Sequence, residues 1–156
     1  MKFKMSTVNP SFVFGPQMFD EDVKDHLNTS CEFVNDLVHA SADTKLDKSK
    51  QGEYIDVRDV SKAHLLAFQS ENTVGKRLGL ASEKFDCQDI VDVLNKDFPQ
   101  LVGKIPVGDE PGNGASVTKP NSKFDTSRTR EILGFKFITF EKSIHDTAAQ
   151  ILKRGA

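Results

Sequence analysis

An α/β fold is what the sequence predicts, and two patterns carry that prediction. Short β-prone runs alternate with longer segments whose apolar residues recur at helical spacing. Polar stretches rich in Gly, Pro, Asp and Ser separate them. The chain has 156 residues, enough to enclose a sizeable core.

In chain order, residues 3 to 8 alternate well enough for a strand, and Pro10, which cannot donate to a ladder, ends it. A loop runs to about Leu27. The Asn-Thr-Ser of residues 28 to 30 offers an N-cap ahead of CEFVNDLVHA, which sets Phe33, Val34, Leu37 and Val38 on one face. The polar SADTKLDKSKQGE is a surface loop and YIDV a second strand. RDVSKAHLLAF forms a helix with Val60, Ala63, Ala67 and Phe68 as its apolar stripe. After the turn ENTVG comes a third strand, KRLGLAS. Asp86 is placed to cap CQDIVDVLNKDF, which Pro99 stops. Residues 103 to 123, GKIPVGDEPGNGASVTKPNSK, are loop-rich, with a further strand expected near Ile105. Asp125 caps TSRTREIL, and Gly134 suits its C′ position. A last helix from about Glu141 aligns Ile144, Ala148, Ile151 and Leu152. The strands are few and short for a parallel sheet, which needs both faces covered. The first begins almost at residue 1, as though in the middle of a sheet.

Composition removes several function classes. Twenty-one basic against 23 acidic residues give a net charge of -2 with no block of one sign, so no nucleic-acid partner is expected. No apolar run is long enough to span a bilayer, and MKFKMSTVNP lacks the apolar stretch of a signal peptide. Cys31 and Cys87 lie in apolar helical patterns as small buried hydrophobes, which predicts a reducing, cytoplasmic setting. The histidines His26, His39, His64 and His145 have neither i, i+4 pairing nor cysteine partners, so no metal site is expected.

A catalytic set is not visible in the residues. No glycine-rich loop follows a strand. The sole tyrosine, Tyr54, has Arg58 four residues on where a lysine would complete a proton-relay motif. Arg58 and Asp59, opening a helix, form a structural ion pair and cap; His64 is a packed helix residue; DEDVKD is a solvated loop face.

KFKMSTVNPSFVFGPQM, GEYIDVRDVSKAHLLAF and FDTSRTREILGFKFITFEKSIHDTAAQIL together resemble the C-terminal half of an extended short-chain dehydrogenase/reductase. Within that family the chain is most similar to the fungal NADPH-dependent methylglyoxal (aldehyde/ketone) reductases, relatives of plant dihydroflavonol reductase. VNPSFVFGPQMF with HLNTSCE at its spacing is the specific signal, whereas Asp-Val-Arg-Asp-Val is shared widely. The resemblance implies a Rossmann-type fold of which residues 1–13 and 51–72 complete the dinucleotide-binding domain. Residues 14–50 and 73–156 would form a smaller substrate-binding lobe. The family's glycine-rich loop, catalytic serine and Tyr-x-x-x-Lys pair precede this stretch, so no catalytic residue is expected here, and the N-terminal dinucleotide-binding half is absent.

The resemblance also assigns roles. Pro10 would pack beside the nicotinamide ring of NADP, and Val13 would hydrogen-bond the carboxamide through its backbone. Ser30 would approach the cofactor phosphates, aided by the partial positive charge of a helix N-terminus. Phe12, Met18 and Phe19 would face a small-molecule carbonyl substrate. Each has a plainer alternative: Pro10 merely ends a strand, Ser30 merely caps a helix, and the three apolar residues merely pack the lobe. Three functions follow: an NADPH-dependent carbonyl reductase; an inactive truncated paralogue or fragment that pairs with a partner such as the N-terminal half; or an independent α/β binding module.

Overall fold

The computed structural model describes residues 3–23, 26–115 and 124–154. Strands β1 (Thr7–Pro10) and β2 (Phe12–Phe14) are separated by Ser11 alone. Helix α1 (Thr29–Val38) follows, then β3 (Gln51–Asp56), which runs directly into α2 (Val57–Gln69). The remaining elements are β4 (Arg77–Leu80), β5 (Glu83–Asp86), α3 (Cys87–Asp97), α4 (Ser127–Leu133) and α5 (Phe140–Arg154). The α/β class is as expected.

β1 pairs with β4 in parallel, while β2 pairs in parallel with β3, whose other edge takes β5 antiparallel. The chain therefore changes partners at a bend, Ser11. The strand expected over residues 3 to 8 lies at Thr7–Pro10, so Pro10 belongs to it. Thr7 donates its amide to the Lys76 carbonyl at 3.0 Å and Ser11 to that of Leu80 at 2.9 Å. Amides that face β4 come at alternate residues, which turns the Pro10 nitrogen to the outer edge, where no bond to β4 is lost.

Other expectations need correcting. β5 was not expected from EKFD, which has one apolar residue; pairing with β3 and full burial of Phe85 make it a strand. Ile105 is not in a strand: it is buried within a turn, its amide bonded to the Leu101 carbonyl at 3.2 Å. Helix α2 buries Ala63 against Val60, Leu66 and Ala67, and leaves Phe68 90% exposed, so Leu66 replaces Phe68 in the stripe. His64 is exposed, its ring bonded to the Val60 carbonyl, and is not packed. Thr126, not Asp125, is the N-cap of α4, although the Asp125 carboxylate accepts the Ser127 amide at 2.9 Å. The Asp86 cap is present as a full capping box with Asp89, and Gly134 closes α4 at φ +67°. Part of the 103–123 loop, residues 116–123, lies outside the described residues.

Two apolar clusters form the interior. One joins Ile55, Ala63, Leu78, Leu80, Leu133 and Phe137 around β1, β4 and α2. The larger contains Phe14, Tyr54, Phe85, Ile90, Leu94 and Ile144, where α1, α3 and α5 pack on one another. Both cysteines are free and buried, and burial pushes each thiol up from 9.0 to about 11. A raised thiol pKa contributes stability that is complete below the unfolded value and lost as pH rises through the folded one. The melting temperature should thus fall between pH 9 and about 11. A Cys31→Ala/Cys87→Ala chain should show a shallower fall over that window; an identical slope would refute the assignment.

Candidate cofactor and substrate cleft

The loop after β2 is held from below. Gly15 takes φ +124°, and a Cβ there would lie 2.7 Å from Val57 Cγ1 and 3.2 Å from the Asp56 carboxylate, so only glycine fits. Asp56, fully buried, caps α2 by accepting the Arg58 amide at 2.8 Å. The Arg58 guanidinium grips the same carboxylate with a two-bond fork, Nε and Nη2 each at 2.8 Å, and reaches Asp146 of α5 at 2.6 Å. The expected Arg58–Asp59 pair is replaced by this three-residue clamp. Asp59 instead accepts the Ile138 amide at 2.7 Å, and burial raises its pKa. Desolvation works against the Asp146 carboxylate, but Arg58 and Lys142 outweigh it and lower its pKa.

Further along, the Gln150 side chain of α5 accepts the Gln17 amide at 2.7 Å and donates to the Gln17 carbonyl at 3.1 Å. Tyr54 is fully buried, and its hydroxyl donates to the Ile138 carbonyl. Burial raises its pKa, and its hydroxyl is engaged by this main-chain bond.

Above these supports an open cleft of about 570 Å³ is lined by Ser11, Phe12, Val13, Asn28, Ser30 and Phe124, among others. Val13 sits at the edge of β2 turned away from β3. Its carbonyl accepts Asn28 Nδ2 at 3.4 Å, and the Cys31 thiol lies 4.0 Å from it and 3.4 Å from the Gly15 carbonyl. In an extended strand a residue's amide and carbonyl face the same edge, so the Val13 amide also opens toward α1 and the cleft.

Asn28 is the N-cap of α1, yet its side chain makes no cap bond. The first-turn amides of α1 thus keep their positive end toward the cleft. Ser30 sits inside the helix's first turn, buried at 8% exposure, and is not the cap. Glu32 accepts the Leu27 amide at 2.7 Å, which lowers its pKa.

The expected site residues divide. Phe12, Val13 and Ser30 line one cleft, and Pro10 is exposed one residue before it. Met18 and Phe19, 88% and 53% exposed, do not line it. Asn28 and Phe124 were not anticipated. Asn28 looked like an ordinary cap, and Phe124, which opens a segment that carries the resemblance, reaches the cleft only through the packing of distant segments. Among the described residues no cluster could hold a metal ion, and no helix is long and apolar enough to cross a membrane.

No family model matches the chain. The NADPH-dependent methylglyoxal reductase GRE2 of Saccharomyces cerevisiae is 53% identical over 98% of this chain and 44% of its own length. The crystal structure of yeast methylglyoxal/isovaleraldehyde reductase Gre2 complexed with NADPH superposes with a TM-score of 0.93, at 52% identity, over 98% of this chain and 44% of that one. The aligned portion is the carboxyl-terminal one. By sequence and fold, the chain matches the carboxyl-terminal portion of extended short-chain dehydrogenases/reductases. Gre2 from Candida albicans agrees, with a TM-score of 0.94 at 43% identity, over 100% of this chain and 46% of that one. The chain spans less than half the length of these relatives. In this chain β2, the loop after it and α1 border the cleft.

Proposed function

We propose that the chain is the carboxyl-terminal part of an NADPH-dependent reductase of aldehydes and ketones. The observation that supports this reading most is the convergence of an open strand edge at Val13 and a helix N-terminus at Ser30 on one cleft. A flat carboxamide needs a rigid backbone donor, and a pyrophosphate needs unsatisfied helix amides. The residues present suit NADPH, which would supply the hydride. Val13 would bond the carboxamide, Pro10 would stiffen the approach to the ring, and Ser30 would meet the phosphates. Phe12 would wall the carbonyl subsite, with Met18 and Phe19 at its outer rim. Residues 1–13 and 51–72 would complete the dinucleotide-binding domain, and 14–50 with 73–156 the substrate lobe. The proton-donating tyrosine and its lysine would come from an amino-terminal segment, since Tyr54 is committed to Ile138. Two buried, reduced thiols fit a cytoplasmic location.

The test joins this chain to the amino-terminal segment of the 53% identical yeast reductase. Ser30→Asp should weaken NADPH binding about tenfold or more, because it sets a negative charge against the phosphates. Ser30→Ala should weaken it less. An unchanged Kd in a folded Ser30→Asp chimera would sink the phosphate role.

A second reading rests on the outer edge of β1, which pairs with no described strand and borders exposed Met5 and Phe68. Such an edge is a template for another chain segment. A catalytically inactive polypeptide that binds a partner there would bind the amino-terminal segment in trans yet give no turnover.

A further inference from the structure

The two glycines within the described strands have no conformational reason to be glycine. Gly52 of β3 and Gly79 of β4 do not take positive φ, and glycine inside a strand is unfavourable unless something approaches closely. In both cases a phenyl ring does. A Cβ on Gly52 would lie 2.7 Å from Phe12 Cε2 and 2.9 Å from Cδ2; one on Gly79 would lie 2.7 Å from Phe124 Cε1 and 2.9 Å from Cζ. Ordinary carbon contacts need about 3.5–4.0 Å, so a methyl group at either position moves its ring by about 1 Å. The Phe12 ring is also braced edge-on against buried Phe85, centroids 5.5 Å apart at 84°. Retreat in that direction is closed. Both rings remain partly open, Phe12 at 37% and Phe124 at 52% exposure, and both line the same cleft.

We propose that Gly52 and Gly79 are specificity-determining positions: by letting an edge of the Phe12 and Phe124 rings close onto β3 and β4, they set the width of an apolar slot for the hydrocarbon substituent of the carbonyl substrate. Neither glycine touches substrate; each acts through its ring. The slot takes bulky alkyl or aryl groups because two partly exposed phenyl side chains line the cleft that the Val13 edge and the start of α1 also line. A methyl group at either glycine pushes a ring into this space and narrows it. The assignment rests on the reductase reading above.

The experiment uses the same chimera with NADPH and two aldehydes, benzaldehyde and acetaldehyde. Gly52→Ala should lower kcat/KM for benzaldehyde about tenfold relative to acetaldehyde, with the change mainly in KM, and leave the NADPH Kd unaltered. Gly52→Ala combined with Phe12→Leu should restore benzaldehyde, because the shorter side chain clears the new methyl. Gly79→Ala with Phe124→Leu should behave alike. Equal losses on both aldehydes, or no loss on benzaldehyde, would overturn the proposal. If the unsubstituted chimera reduces neither aldehyde, the reductase reading fails, and the seat is then judged by itself. Crystal structures of this chain with and without Gly52→Ala should show the Phe12 ring displaced into the cleft; an unmoved ring refutes the seat.

Discussion

Arg58→Ala should lower the unfolding free energy of the chain by about 3–5 kcal/mol. Arg58 is the partner that satisfies both oxygens of Asp56, whose side chain is completely buried, and its third bond ties Asp146 of α5 to the β3–α2 junction. Removing it leaves a buried carboxylate without its counter-charge, which costs more than the pair contributes. Arg58→Lys should recover only part, because an ammonium cannot reproduce the two-bond fork. Equilibrium urea unfolding provides the measurement, with the change expected in the midpoint and not in the slope. An Arg58→Ala loss below about 1 kcal/mol would place this clamp among the exposed ion pairs, which contribute little.

Phe14→Ala should cost a similar amount, about 3–5 kcal/mol. Phe14 is fully buried and stands at the centre of an aromatic group: edge-on to Phe85 at 4.9 Å and to Phe140 at 6.0 Å, with Phe33 and Tyr54 each at 6.3 Å. Truncation leaves a cavity bounded by ring faces that cannot collapse together without abandoning their mutual geometry. Phe14→Leu, which keeps most of the volume, should cost under about 1.5 kcal/mol. Circular dichroism melts of the three chains would order them; equal stability of Phe14→Ala and Phe14→Leu would contradict the packing account.

Much of the fold was legible because it is written in local rules. Asp86 before a helical stripe, Gly134 after one, and the periodic run of α5 each act within a turn or two of chain. What was missed depends on partners remote in sequence. EKFD becomes β5 only because β3 lies beside it. Phe68 fits the α2 period as well as Leu66 does, and only the position of the sheet decides between them. Arg58 faces Asp56 and Asp146, not Asp59, because the fork geometry of a guanidinium outranks proximity along the helix. The same division holds at the cleft. The resemblance placed Phe12, Val13 and Ser30 together, and they line one space. Asn28 carries the composition of a cap but spends its amide on Val13, and Phe124, though it opens a segment that carries the resemblance, has no local sign that its ring reaches the cleft.

The change of partners at Ser11 has a mechanical consequence. Ser11 is a bend flanked by strands paired in different sheets, so a displacement of one sheet against the other falls on the backbone torsions of this one residue.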